Sequence, residues 1–440
     1  MLGPRVPCDL ALTQVEELRA QGVTAPAESS YRSSRQAYAD EQDASLAIIS
    51  VPGAYAAEEA RLAIAAGRNV LIFSDNVSVE DEVDIKTRAH EAGLLVMGPD
   101  CGTAIINGTA LCFANAVNRG PVGVVAASGT GSQEVSVRVD ALGSGISQLV
   151  GVGGRDLSEA VGGIMMLDAL AMLDSDPDTS VILLLSKPPA DTVAAKVLAA
   201  AGRASKPVVV CCIGAPAPAE GFADLTFAAN TRDGALAAVR LASGDQVAQQ
   251  PSTHRHELDA VRTGWLPGQS DIRGLFCGGT VCDEVYQAIA AVEPETTWSN
   301  VAKDPARRPS SDGRQGGNVL LDLGDDDYTQ GRPHPMIDPT LRNSEIVKHA
   351  SDPATAVIVI DVELGYGSHP DPAGAVLPAV TEARKIAADA GRPLEIVGYV
   401  LGTDRDPQGK DGQEALLTSA GVRLVDNVVE LADVSLQMLR

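Results

Sequence analysis

The chain has 440 residues, enough for roughly two to four domains with large apolar cores. Hydrophobic residues make up 45% and charged residues 21%, which excludes a disordered chain, and aromatics at 3% leave the cores to Ala, Val, Leu and Ile. A formal net charge of −24 excludes sequence-independent nucleic-acid binding, so any acidic ligand must be met by local positive potential.

Residues 1–44 read as a polar, helix-like extension, and Met1-Leu-Gly-Pro-Arg5 lacks the apolar centre of a leader. No apolar stretch is long enough for a membrane span, so no membrane partner is expected. The seven cysteines are scattered, odd in number and without zinc spacing, which implies no metal and a reduced, cytoplasmic protein. From Ser45 to Ser50 an apolar run reads as a buried strand, followed by the turn Val51-Pro-Gly-Ala54 and a helix. Asn69–Phe73 and Leu94–Met97 read as further strands with a helix from Val79 to Ala92 between them. Such alternation implies a parallel sheet covered on both faces, with ligands at the strands' carboxyl ends. This unit extends over 45–118.

A second unit, 119–243, opens on Val122-Gly-Val-Val-Ala-Ala-Ser128-Gly129-Thr130-Gly131. It continues through strands near Ser147–Val152, Ser180–Ser186 and Pro207–Ile213. Residues 244–270, rich in Gln, Ser, Pro and His, read as a linker. The third unit, 271–440, repeats the order of the second and opens on Gly274-Leu-Phe-Cys-Gly278-Gly279-Thr280. Asp176-Pro177 and Asp352-Pro353, offset by 176 residues, precede equivalent strands, so one α/β fold is used twice.

Both opening turns place glycines between an apolar run and a helix. Glycine lets the backbone turn tightly and approach a ligand closely, and the helix end offers free N–H groups to an anion. Neither turn ends in the Lys-Ser/Thr pair of a nucleotide P-loop. Ser128, Gly129, Thr130, Gly131 and Gly278, Gly279, Thr280 are therefore candidate phosphate ligands.

Ser50-Val-Pro-Gly53, Gly98-Pro-Asp-Cys101, Ser128-Gly-Thr130 and Val150–Asp156 fall in an order that resembles the α subunit of succinyl-CoA synthetase. The third unit is similar to the CoA-ligase domain of that enzyme's β subunit. The fused arrangement, with Ser186-Lys-Pro-Pro189, His334–Arg342 and Leu364–Pro372, resembles the FdrA family. The resemblance implies a Rossmann-like CoA-binding-type domain followed by two flavodoxin-like domains of the synthetase type. In the synthetases a phosphohistidine moves between two helix N-termini. The matching loop here, Gly214–Asp224, contains no histidine, and no ATP-grasp segment accompanies it.

The resemblance thus implies a component of a carbamoyltransferase of the oxamate type, handling carbamoyl or acyl phosphate and a small carboxylate beside heteromeric partner subunits. An NDP-forming acyl-CoA synthetase component is the alternative, and a non-catalytic scaffold or anion sensor a third. CoA is the one cofactor candidate. Arg155, His334 and His369 are the catalytic candidates, because an arginine forks onto anions and loop histidines move protons. Asp156, Asp338 and Arg342 are candidates for substrate binding.

Overall fold

The computed structural model describes residues 30–215, 222–244, 247, 264–310 and 316–439. Most of the extension and linker, and part of the 214–224 loop, lie outside them. The chain forms two compact units, Met1–Ala44 and Ser45–Arg440. The first contains helix α1 (Ser34–Asp40), whose N-cap Ser33 Oγ accepts the Gln36 N–H.

The large unit is built on three sheets. The first is parallel, in the order β1 (Leu46–Ile49), β2 (Asn69–Ile72), β3 (Val96–Met97), with helices α2 (Gly53–Ala65) and α3 (Val79–Glu91). Ser78 caps α3, and acidic residues in its first turn suit the positive helix end. The sequence predicts β1 buried on both faces. In the structure it is an edge strand, and Ile48 is 53% exposed.

The second sheet comprises β4 (Thr103–Ile106), β5 (Thr109–Cys112), β6 (Arg119–Ala126), β7 (Ile146–Gly151), β8 (Val181–Ser186), β9 (Val208–Cys212) and β10 (Leu225–Ala228). Their order is β10-β9-β8-β6-β7-β4-β5. The β4–β5 hairpin, placed with the first unit on sequence, joins this sheet through Ile105 opposite Leu149. Helices α4 (Gly129–Ala141), α5 (Ile164–Ser175), α6 (Asp191–Ala201) and α7 (Thr231–Ser243) cover it.

The third sheet holds β11 (Asp271–Phe276), β12 (Thr297–Ser299), β13 (Asn318–Asp322), β14 (Thr355–Glu363), β15 (Glu395–Leu401) and β16 (Arg423–Val425). All its pairs are parallel, in the order β12-β13-β11-β14-β15-β16. Its helices are α8 (Gly279–Val292), α9 (Asp326–Thr329), α10 (Thr340–Ala350), α11 (Pro372–Asp389), α12 (Lys410–Ser419) and α13 (Val428–Leu439).

Leaving aside the β4–β5 hairpin and β12, both large sheets have the flavodoxin order 2-1-3-4-5. Both glycine turns follow the central first strand, beside the switch point where such sheets bind ligands. Helix α4 is buried almost throughout. Its Val135 and Val139 join the core of the second sheet, while Val137 joins a core of the third. The halves are also tied by glutamates at matching helix positions: Glu134 accepts the Tyr399 hydroxyl, and Glu284 accepts the Thr231 N–H at 2.8 Å.

The first sheet is locked to the second by a buried cation. Lys86 Nζ, on α3, donates to Glu82, Asp156 and the Val152 carbonyl at 2.8, 2.8 and 2.9 Å. Removing one partner from such a group leaves charge uncompensated in a dry site. Lys86→Met is expected to lower the unfolding free energy by about 3–5 kcal/mol, measured by urea denaturation. A loss under about 1 kcal/mol would show that the network contributes little.

Candidate functional site

The carboxyl ends of all three sheets open onto one cavity of about 840 Å³. Ser50 and Ser74–Asp75 reach it from the first sheet, and Ser128–Thr130 with Ser186–Lys187 from the second. Cys277, Gly279, Thr280 and Asp322 reach it from the third.

Two helices meet in this cavity by their N-termini. Ser128 caps α4, with Oγ accepting the Gly131 N–H at 3.1 Å, and also bonds the Thr280 hydroxyl. The Thr280 N–H donates to Thr130 Oγ1 at 3.2 Å. The N–H groups of Gly129, Thr130 and Gly279 have no acceptor among the described residues. They are the exposed donors of the site.

The two helix ends differ in what lies beneath them. Under α8, Asp361 accepts the Cys277 and Gly278 N–H groups at 2.8 and 2.9 Å. A Cβ on Gly278 would lie 2.1 Å from Glu363 Oε1, and one on Gly279 2.5 Å from Asp322 Oδ2. These glycines are required because carboxyl groups press against the helix end. Burial, then the neighbouring Asp361, pushes Glu363 well above the usual carboxylate range. Lys187 follows β8 in the second sheet and lines the cavity, with its Nζ 3.7 Å from Asp283 on α8. Burial pushes Asp322 up to about 7, against the pull of Lys187 and the Gly324 N–H. Asp100 is also pushed to about 7, by burial and then by Asp326 and Asp75.

The structure separates the candidate residues. Arg155 lines the cavity, half-exposed, held by Glu82 at 3.0 Å and the Val77 carbonyl at 2.8 Å. His334 also lines it, beside Phe113. Its Nδ1 accepts the Met336 N–H at 3.2 Å, leaving the ring proton on Nε2. Burial pulls its pKa down to about 4, so it is neutral at physiological pH.

His369, Asp156, Asp338 and Arg342 do not line the cavity. His369 Nδ1 accepts the Asp371 N–H, and Asp338 accepts the Thr340 N–H at the start of α10. Asp156 is wholly buried on Lys86 and on the Met165 and Met166 N–H groups at the start of α5. Arg342 is buried against the Asp361 carbonyl and Cys277 Sγ, at 2.6 and 2.9 Å. Asp322, Asp100 and Asp75 also line the cavity, and the sequence does not single them out. The readable signal for Asp322 was a carboxylate at the carboxyl end of an apolar strand. Among the described residues no group of three or more His, Cys, Asp and Glu could hold a metal, and no helix is long and apolar enough to cross a membrane.

Residues 275–435 match the CoA-ligase family and residues 117–214 the CoA binding domain family. The second match falls on the second sheet rather than on 45–118. The chain is thus an α/β protein of the CoA-binding and CoA-ligase type. It is 30% identical over 151 residues to the succinate–CoA ligase (ADP-forming) subunit alpha 2 of Archaeoglobus fulgidus, a match taking in 33% of this chain and 51% of that subunit. The chain therefore spans about half the length of that relative. An apo structure of dinucleotide forming acetyl-coenzyme A synthetase 1 from Ca. Korarchaeum cryptofilum is 16% identical, with a TM-score of 0.36, covering 90% of this chain and 82% of that one. Over 418 residues the chain is 50% identical to the uncharacterized protein YahF of Escherichia coli (strain K12), covering 94% of this chain and 81% of YahF. The chain belongs to the YahF family.

The buried, neutral state of His334 has a measurable signature. Its folded pKa lies below its unfolded value of 6.5, so its contribution to stability is present above pH 6.5 and lost as pH falls through about 4. An imidazole NMR titration is expected to place the His334 midpoint near 4, and His334→Gln to reduce the acid slope of stability. A midpoint near 6.5 would put His334 in solvent.

Proposed function

We propose that the chain is the acyl-transferring component of an NDP-forming acyl-CoA synthetase-type system, acting on an acyl phosphate beside an ATP-grasp partner. The observation that carries this reading is the pair of helix N-termini sharing one cavity, with three unpaired N–H groups and Lys187 to meet a phosphate. The named relatives that are CoA ligases support it.

Phosphate is the leaving group, held at α4 by the Gly129 and Thr130 N–H groups, with Arg155 and Lys187 offsetting its charge. His334, neutral and with a proton on Nε2, donates a hydrogen bond to a carbonyl oxygen rather than a full charge. The apolar side of the cavity, with Val51, Pro52, Phe73, Phe113 and Ile337, fits a pantetheine arm. When bound, CoA would supply the attacking thiol.

A second reading, carbamoyl transfer between phosphate and a small nitrogen-bearing carboxylate, uses the same phosphate site. The absence of histidine from residues 214–224 favours it, because such an exchange needs no phosphohistidine relay.

Lys187→Met is expected to weaken sulfate or phosphate binding about tenfold, the loss of roughly one charge-assisted hydrogen bond, as read by calorimetry. With acetyl phosphate and CoA, the chain and its ATP-grasp partner are expected to release phosphate and thioester in equal amounts. Carbamoyl phosphate turnover without thioester formation would select the second reading. Unchanged anion affinity in Lys187→Met would remove Lys187 from the site.

A further inference from the structure

The two flavodoxin-like halves carry opposite chemistry at equivalent places. In the second sheet, the strand across the switch point, β8, ends in Ser186 and leads to Lys187. In the third, the equivalent strand β14 ends in Asp361, Val362 and Glu363, and the flanking strand β13 ends in Asp322. Asp361 is committed to the Cys277 and Gly278 N–H groups, and neither it nor Glu363 lines the cavity. Asp322 does line it. One of its oxygens accepts the Gly324 N–H at 2.9 Å, and the other lies over Gly279 at the mouth of α8. It therefore occupies the place that a second anion would take, beside the helix ends joined through Thr130 and Thr280.

We propose that Asp322 is the proton-accepting group of the cavity, taking the nucleophile's proton during transfer from an acyl phosphate bound at the α4 N-terminus. This rests on the acyl-phosphate reading above. The nucleophile, a thiol in the leading reading, forms a bond to the acyl carbon with its sulfur lone pair. The bond from that carbon to the bridging phosphate oxygen breaks, and its electron pair leaves on phosphate. The thiol proton passes to Asp322. The products are a thioester, phosphate and a protonated carboxyl group, which returns its proton to water when phosphate departs.

The surroundings suit a group that gains and loses a proton. Lys187 faces it from the second sheet and favours its charged form, while Asp325 and Asp361 oppose it. The Cys277 and Cys282 thiols, both buried and pushed well above their usual range, remain protonated beside it. Burial also raises Glu363 and Tyr328 near it. Asp283 draws on the same lysine. A dianion bound at α4 adds negative charge next to Asp322 and raises its proton affinity, so the fraction still charged accepts the thiol proton more readily. Its departure reverses the shift.

Sulfate, whose own charge does not change near neutrality, tests this coupling. Its binding is measured calorimetrically in two buffers of different protonation enthalpy, slightly alkaline of the Asp322 midpoint of about 7. The wild-type chain is expected to take up protons on binding sulfate. Asp322→Asn is expected to bind sulfate at least as tightly with no uptake, and to lose the acid limb of the acetyl phosphate-to-thiol transfer profile.

Asparagine still accepts the Gly324 N–H, and the strand end is held independently by Asn300 through the Asp322 backbone at 2.8 Å on both sides. Thermal melting checks that the variant is folded. Sulfate binding without proton uptake in the wild type, or with uptake retained in Asp322→Asn, would overturn the assignment and leave the anion site standing. Failure of the wild type to bind sulfate would overturn the anion site and this inference together.

Discussion

Two positive helix ends brought face to face are the constraint on which the rest of this molecule depends. Each end carries about half a positive charge and several unpaired N–H groups, so their contact through Thr130 and Thr280 must be offset. The protein offsets it on one side only. Asp361 ties down two N–H groups beneath α8, with Glu363 and Asp322 pressed against the same turn. Helix α4 keeps the free Gly129 and Thr130 N–H groups, and Lys187 reaches across from the second sheet to Asp283 on α8. The arrangement demands glycine at 278 and 279, and it buries α4 between the two halves. It also concentrates positive potential at one spot of a chain whose net charge is −24. An anion finds a local attraction that the whole molecule does not offer.

Repeating one fold twice made this asymmetry available. The strand orders match, the turns match, and Glu134 and Glu284 reach across the interface from matching helix positions. The side chains at the strand ends do not match. Lysine in one half and carboxylates in the other turn two similar pockets into one polar cavity with distinct ends.

Much of the scaffold was legible because glycine turns and apolar runs are local signals. Ser128–Gly131 and Gly278–Thr280 stand out without knowledge of their neighbours, and the repeat explains the two large sheets. Residues 103–112 do not say which sheet they will pair with, so the sequence groups the β4–β5 hairpin with the first unit while the structure pairs it with the second sheet. An apolar run does not reveal that its strand is an edge, so Ile48 reads as buried in the sequence and is exposed in the structure. The site was less legible, since short polar loops serve capping and catalysis with the same residues. His369 and Asp338 bond backbone groups two residues on, and Asp156 caps a helix. Asp322, which lines the cavity, and Asp361, which ties down the α8 turn, sit in strands that otherwise read as largely apolar.

On these grounds one anion is held at the α4 end and none at the α8 end. A crystal structure of the protein with bound sulfate or phosphate tests it most directly. One anion per chain is expected, bonded to the Gly129 and Thr130 N–H groups and near Lys187, with Asp322 still over Gly279. An anion seated on Gly278 and Gly279 with Asp322 displaced, or none at either turn, would contradict it.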